Sequence, residues 1–104
     1  MPAFVTVAYP RPSGEFKFDL DYYLKSHMPL VAKTWEPKGL KAWTVTQHSE
    51  GPYVIQAILE WTSIEAFDAA AQTNGGPEVF ADVLNFTDIT PIPIKGEVKG
   101  SWSS

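Results

Sequence analysis

A chain of 104 residues has the size of one domain, so we expect residues 1–104 to form a single folded unit. Its 44% hydrophobic and 19% charged residues exclude an intrinsically disordered chain. Its net charge of −4, with eight lysine and arginine residues that are dispersed singly, argues against nucleic acid and against anionic membranes as partners.

The sequence also limits the chemistry and the location of the protein. It contains no cysteine, which excludes disulfides, zinc–thiolate sites and thiol nucleophiles. Its first residues lack the basic segment and the apolar run of a signal peptide, and no apolar stretch approaches the about 20 residues of a membrane span. We therefore expect a cytoplasmic protein that does not enter a membrane.

The first predicted elements are a strand and an interrupted helix. Residues 3–9 are rich in β-branched and aromatic side chains and precede a proline-rich loop, which predicts a strand. Asp19, a good N-cap, precedes apolar residues at helical intervals, namely Leu20, Leu24, Met28, Val31 and Trp35. Pro29 cannot donate to the Lys25 carbonyl, so we predict a break near His27 and Met28 and a second helical piece to about Trp35.

Two further strands follow that helix. The segment Pro37-Lys38-Gly39 ends the helix, and residues 40–47 have the composition of a second strand. A polar loop over residues 48–52 leads into a third strand at 53–61. His48 lies in this loop and is predicted to be exposed to solvent.

A second helical region and a last strand complete the prediction. The Thr62-Ser63-Ile64-Glu65 pattern is that of a capping box and predicts a helix to about Gln72. Pro77 begins another helical segment to about Leu84. Residues 89–98 alternate, but prolines at 91 and 93 restrict this strand to a sheet edge. The resulting order, β-α-β-β-α-β, is typical of a ferredoxin-like α+β domain.

The first and third strands are apolar on both faces, which predicts a partner. Phe4 and Ala8 alternate with Val5, Val7 and Tyr9 in the first strand. Helices cover one face of such a sheet, and the chain has no spare element to cover the other. We therefore expect a homodimer in which two copies pack sheet against sheet about a two-fold axis.

The sequence resembles EthD-like proteins of the dimeric α/β-barrel superfamily over about residues 3–100. The most specific segment is Asp21-Tyr22-Tyr23-Leu24-Lys25-Ser26-His27-Met28-Pro29-Leu30, followed by Gly39-Leu40-Lys41 and Pro52-Tyr53-Val54-Ile55-Gln56-Ala57. The resemblance implies two ferredoxin-like sheets that close into a barrel, with a pocket between helices and sheet in each subunit. The superfamily includes cofactor-free monooxygenases, lactone isomerases, polyketide cyclases and haem-handling proteins, so the resemblance does not fix a reaction.

His27 and Tyr23 are the candidate catalytic residues. His27 lies on the predicted apolar stripe at the helix break, and an imidazole that titrates near neutral pH can serve as a general acid–base. Tyr23 precedes it by four residues on the same helix face and would donate a hydrogen bond to a substrate oxygen. Core packing is the alternative role for both, and for His27 the resemblance favours function.

Seven more residues form the candidate substrate-binding set, namely Tyr22, Met28, Thr6, Trp35, Gln56, Phe67 and Phe80. Its aromatic members are equally typical of a core or an interface, and Thr6 and Gln56 are polar interruptions of apolar strands that suit structural roles better. We find no metal-ligand spacing, no glycine-rich phosphate loop and no dinucleotide motif, and therefore predict neither a metal nor a cofactor.

The predicted function is binding of a small, largely apolar molecule, either aromatic or an enolisable carbonyl compound. Acid–base catalysis by His27 would make the protein a cofactor-independent lyase, isomerase or cyclase. Two alternatives stay open at this point. A cofactor-free monooxygenase would consume oxygen, and a non-catalytic carrier of a small ligand would need only the pocket.

Overall fold

A four-stranded antiparallel sheet forms one layer of the computed structural model, which describes residues 2–104. Its strands are β1 (Ala3–Pro10), β2 (Leu40–Gln47), β3 (Tyr53–Trp61) and β4 (Ile92–Glu97). They lie in the order β2-β3-β1-β4, and all neighbours are antiparallel. The predicted ferredoxin-like arrangement is therefore confirmed, including the position of the proline-containing strand at an edge.

The helices form the second layer, and each of the two helical regions is composite. The first region contains α1 (Leu20–Tyr22), a π-helical turn (Tyr23–His27), α2 (Met28–Trp35) and a 3₁₀ turn (Glu36–Lys38). The second contains α3 (Ile64–Gln72), α4 (Gly76–Ala81) and a 3₁₀ turn (Asp82–Asn85). Within residues 2–104, no helix is long and apolar enough to cross a membrane.

The two helical regions begin at side-chain caps. Asp19 accepts a hydrogen bond from the Tyr22 N–H at 3.0 Å, as predicted. The capping-box prediction for α3 is wrong by one residue, because Ser63 is the cap and accepts from the Ala66 N–H at 3.0 Å. Thr62 directly follows β3, and its N–H donates to the Gly39 carbonyl at 3.0 Å.

The predicted last strand is shorter than expected. Its ladder with β1 runs only from Ile92 to Glu97, and Ile89 lies outside it as a buried core residue. A proline has no N–H to donate to a ladder, so the chain before Ile92 does not pair as a strand.

Strand alternation separates the two faces of the sheet. Val5 of β1 lies opposite Leu59 of β3, and both are buried against the helices. The other parity faces away from the helices, and there Phe4, Ile92 and Ile94 are exposed by 42%, 44% and 45%. This apolar face, which we call the open face, is the surface that the predicted homodimer would cover.

We predict that the protein sediments as a dimer of twice its 11.5 kDa chain mass at micromolar concentration. Ile94→Glu would place a charge on the open face and is expected to yield the monomer, because burying an unpaired charge is costly. Leu24→Glu is the control, since Leu24 is exposed on the helical layer. Sedimentation equilibrium decides the matter, and a monomeric wild-type protein would contradict the prediction.

Candidate functional site

A π-helical turn positions His27. The Met28 N–H donates to the carbonyl of Tyr23, five residues back, where an α-helix would use the fourth residue back. Pro29 follows in the first turn of α2, where its missing N–H is tolerated. The prediction of a break near His27 is confirmed only in part: the hydrogen-bond ladder widens there, but the chain stays helical from Leu20 to Trp35. Such turns inside helices are frequent at functional sites.

The predicted apolar stripe is wrong at Leu24. That side chain is 38% exposed, whereas Tyr23 and His27 are buried on the sheet side. A π turn contains more residues than an α turn, so the face that meets the sheet shifts to these two residues.

A cavity of about 150 Å³ lies between the helices and the sheet. The enclosed part of an apolar cavity of about this volume accepts one benzene-sized ring. Phe80 is 47% exposed and Pro93 is also exposed, so the cavity reaches solvent between α4 and β4. The fifteen residues of its wall are Val7, Tyr9, Tyr23, His27, Met28, Val31, Trp35, Ala57, Leu59, Phe67, Val79, Phe80, Val83, Pro91 and Pro93.

Six of the nine candidate site residues meet in this wall, namely His27, Tyr23, Met28, Trp35, Phe67 and Phe80. The expectation for the other three is corrected. Thr6 and Gln56 have the opposite strand parity from the wall residues Val7 and Ala57, so they lie on the open face. Tyr22 is outside the wall and donates its hydroxyl proton to Asp82 instead.

Asp82 fixes the orientation of His27, and sequence reasoning missed it. Its Oδ2 lies 2.9 Å from His27 Nδ1, and the two side chains are only 13% and 6% exposed. Its Oδ1 accepts from the Tyr22 hydroxyl at 2.7 Å and from Asn85 Nδ2 at 2.9 Å. Because both oxygens are engaged, the carboxylate cannot turn freely. The signal in the sequence was one acidic residue within the apolar run Val79-Phe80-Ala81-Asp82-Val83-Leu84.

The charge states of this pair follow from burial and hydrogen bonding. Burial raises the pKa of Asp82, but the hydrogen bonds from Tyr22, Asn85 and His27 outweigh it and hold that pKa below its usual range. Burial lowers the pKa of His27, and Asp82 only partly offsets this effect. At neutral pH a neutral imidazole therefore donates its Nδ1–H to a carboxylate. Nε2 is the nitrogen left for a molecule in the cavity.

Tyr23 adds a hydrogen-bond donor beside the imidazole. Its ring stacks on that of His27 with centroids 5.5 Å apart. Burial raises the pKa of both Tyr9 and Tyr23, so both stay protonated. A protonated Tyr23 hydroxyl in the cavity wall can donate to an oxygen of a bound molecule.

Aromatic packing behind the wall restricts its two polar rings. Phe86 is fully buried and lies 4.7 Å from His27 and 4.8 Å from Tyr23 between ring centroids, which restricts both rings. The buried indole N–H of Trp35 has no hydrogen-bond partner in the described part of the chain. An unpaired buried donor costs about 1–3 kcal/mol, and this N–H is too deeply enclosed to be reached from the cavity. Residues 2–104 contain no cluster of three or more metal-ligating side chains.

Solved structures with the same fold identify the family. An EthD-like protein from Ralstonia eutropha matches 98% of this chain and 96% of its own, with 31% identity and a TM-score of 0.83. This chain belongs to the EthD-like family. The resemblance inferred from the sequence is thus confirmed, although the sequence matches no family model and no curated protein.

Two further solved structures match nearly the whole of this EthD-like chain. An EthD family protein from Bacillus halodurans matches 94% of this chain and 99% of its own, with 20% identity and a TM-score of 0.71. A cofactor-independent oxygenase from Streptomyces nogalater matches 99% and 97%, with 13% identity and a TM-score of 0.67. At such identities these two likenesses show a shared fold alone.

We predict that His27 titrates below the ordinary histidine value of 6.5. Asp82→Asn is expected to lower the midpoint further, because it removes the charge and the hydrogen bond that favour the imidazolium ion. Proton–nitrogen correlation spectra over a pH series measure this, with His48, the only other histidine, as internal reference. A midpoint above 6.5, or one that Asp82→Asn leaves unchanged, would contradict the assignment.

The lowered pKa of His27 also makes the free energy of unfolding depend on pH. The unfolded chain binds the His27 proton more tightly than the folded one, so the free energy of unfolding is expected to fall as the pH drops from about 6.5 through the lowered pKa. In a His27→Gln variant this component of the pH dependence should disappear from denaturant titrations.

Proposed function

We propose that this EthD-like protein binds one small, largely apolar organic molecule in the cavity and catalyses a proton transfer on it without a cofactor. The observation that carries the proposal is the His27–Asp82 pair at the cavity wall. A neutral imidazole whose Nδ1 is held by a carboxylate has its basic Nε2 directed by that bond. The apolar wall excludes water that would compete for it.

The reaction begins when Nε2 of His27 takes a proton from the bound molecule. The imidazole becomes an imidazolium ion, and Asp82, 2.9 Å from its other nitrogen, stabilises the positive charge. The electron pair left on the substrate moves to a carbonyl or ring oxygen, which accepts a hydrogen bond from the Tyr23 hydroxyl. The imidazolium ion then returns the proton to another substrate atom or to a leaving group. The first outcome is an isomerisation or a cyclisation, and the second is a lyase reaction.

A cofactor-free monooxygenase is the second candidate, since the cofactor-independent oxygenase from Streptomyces nogalater shares the fold. The same proton removal would leave an electron-rich carbanion that reacts with molecular oxygen. Oxygen consumption during turnover separates this reaction from an isomerase or lyase reaction. A non-catalytic carrier is the third candidate, for which His27 contributes packing alone.

We further propose that residues 1–104 act as one domain and that two copies associate through the open face. The exposure of Phe4, Ile92 and Ile94 on a sheet that has no other layer supports this assembly. The cytoplasmic location stays a prediction from the sequence.

The base function can be tested without the natural substrate. The probe 5-nitrobenzisoxazole is a neutral aromatic compound that opens to a coloured phenolate when a base removes its C–H proton. We predict that the wild-type protein accelerates this opening and that His27→Gln slows it at least about 100-fold. Asp82→Asn should give an intermediate rate. The rate should fall on acidification with the midpoint of the His27 titration, because only the neutral imidazole is a base.

The control is His48→Ala, which removes the other histidine and should leave the rate unchanged. Rates equal in His27→Gln and the wild-type protein would refute the assignment of the base. Binding of the probe without acceleration by the wild-type protein would favour the carrier.

A further inference from the structure

We infer that the cavity selects a neutral, weakly acidic ring compound of the phenol class, bound in its protonated form, and that it rejects carboxylates and phosphate esters of the same size. This inference rests on the proposed function, because it uses His27 as the acceptor for the ligand's proton. It adds the charge and the size of the ligand, which the proposed function leaves open.

The size of the cavity limits the enclosed part of the ligand to about one ring, and the rest of a larger ligand extends through the opening between α4 and β4. Its volume is about 150 Å³, and a cavity of about that volume in an apolar core binds benzene. Trp35 and Phe67 form part of the wall, and their rings lie 5.9 Å apart in an edge-to-face arrangement. They bound the space with stiff aromatic faces that suit a flat partner.

The charge of the wall excludes an anionic ligand. Its fifteen residues include no lysine or arginine, and the imidazole of His27 is neutral at neutral pH. The fixed charge behind that imidazole is the Asp82 carboxylate, which is negative. An anion in the cavity would lose its hydration without gaining a cation, next to a charge of its own sign. A neutral molecule incurs neither cost.

The polar atoms of the wall match a hydroxyl group. Nε2 of His27 accepts a hydrogen bond, and the protonated Tyr23 hydroxyl donates one. A ring hydroxyl can donate to Nε2 and accept from Tyr23 through one oxygen atom. A hydrocarbon would leave these groups unpaired in a buried site.

Proton transfer to His27 follows binding and is transient, because the pKa of His27 lies below that of a phenol. The O–H bond of the ligand breaks, its proton forms a bond to Nε2, and the electron pair stays on the ligand oxygen. A neutral pair becomes a phenolate and an imidazolium ion, so the total charge is unchanged and nothing is oxidised. Tyr23 stabilises the new anion, and Asp82 stabilises the new cation.

The test compares benzamide with benzoate, which share a shape and differ in charge, and uses phenol as the expected ligand type. Met28 lies in the cavity wall and is one of only two methionines, so its carbon-13-labelled methyl group reports binding by NMR. We expect phenol and benzamide to shift this signal and benzoate to bind at least about 100-fold more weakly. Met28→Leu assigns the resonance.

A charge-gain variant provides the matched control. Phe80 stands at the cavity mouth, half exposed, so Phe80→Lys can keep its ammonium group hydrated while supplying a cation. It should improve benzoate binding relative to benzamide at least about tenfold, and Phe80→Met should not. Equal affinities for benzoate and benzamide in the wild-type protein would overturn the inference. In that case an active His27 in the benzisoxazole assay would show that the proposed function stands and that only the ligand class is wrong.

Discussion

The hydrogen bond between His27 and Asp82 is the interaction on which the account of this site depends. It joins a π turn in the first helical region to a 3₁₀ turn in the second, 55 residues apart in the chain. Without it, a buried imidazole beside Tyr23 and Phe86 would be one more flat side chain in an aromatic core. This hydrogen bond fixes the tautomer of the His27 ring, places the negative charge of Asp82 beside it and leaves Nε2 for a molecule in the cavity. Tyr22 and Asn85 act through Asp82, since they hold its second oxygen.

Alternate residues of each strand face either the cavity or the open face of the sheet. Val7 and Ala57 face the helices and form the floor of the cavity, whereas Thr6 and Ile58, one residue away in each strand, face the other side. A substitution on the open face is therefore expected to affect assembly, and a substitution on the cavity face is expected to affect binding. The apolar character of both faces in β1 and β3 reflects these two demands on one sheet.

Local rules predicted the elements well. Strand composition, the Asp19 cap and the prolines at 91 and 93 gave the order of elements and the edge position of β4, because each signal acts within a few residues. Pro29 predicted the irregular turn that directs His27. The resemblance in the segment 21–30 added the family, which periodicity cannot supply.

The features that the sequence did not predict depend on tertiary structure. Asp82 reaches His27 through tertiary packing, and no spacing rule connects residues 55 positions apart. Thr6 and Gln56 were assigned to the pocket because a strand with two apolar faces does not reveal which face meets the helices. Leu24 was placed on the buried stripe because a uniform helical period cannot anticipate the extra residue of a π turn. These three errors therefore concern the phase of an element or a long-range contact.

The tautomer of His27 tests the central claim most directly. Nitrogen-15 chemical shifts of the imidazole above its titration range distinguish a ring protonated at Nδ1 from one protonated at Nε2. We predict the Nδ1–H form, because an ionised Asp82 accepts that proton and leaves Nε2 unprotonated at the cavity. A ring protonated at Nε2, the form that free histidine prefers, would contradict it.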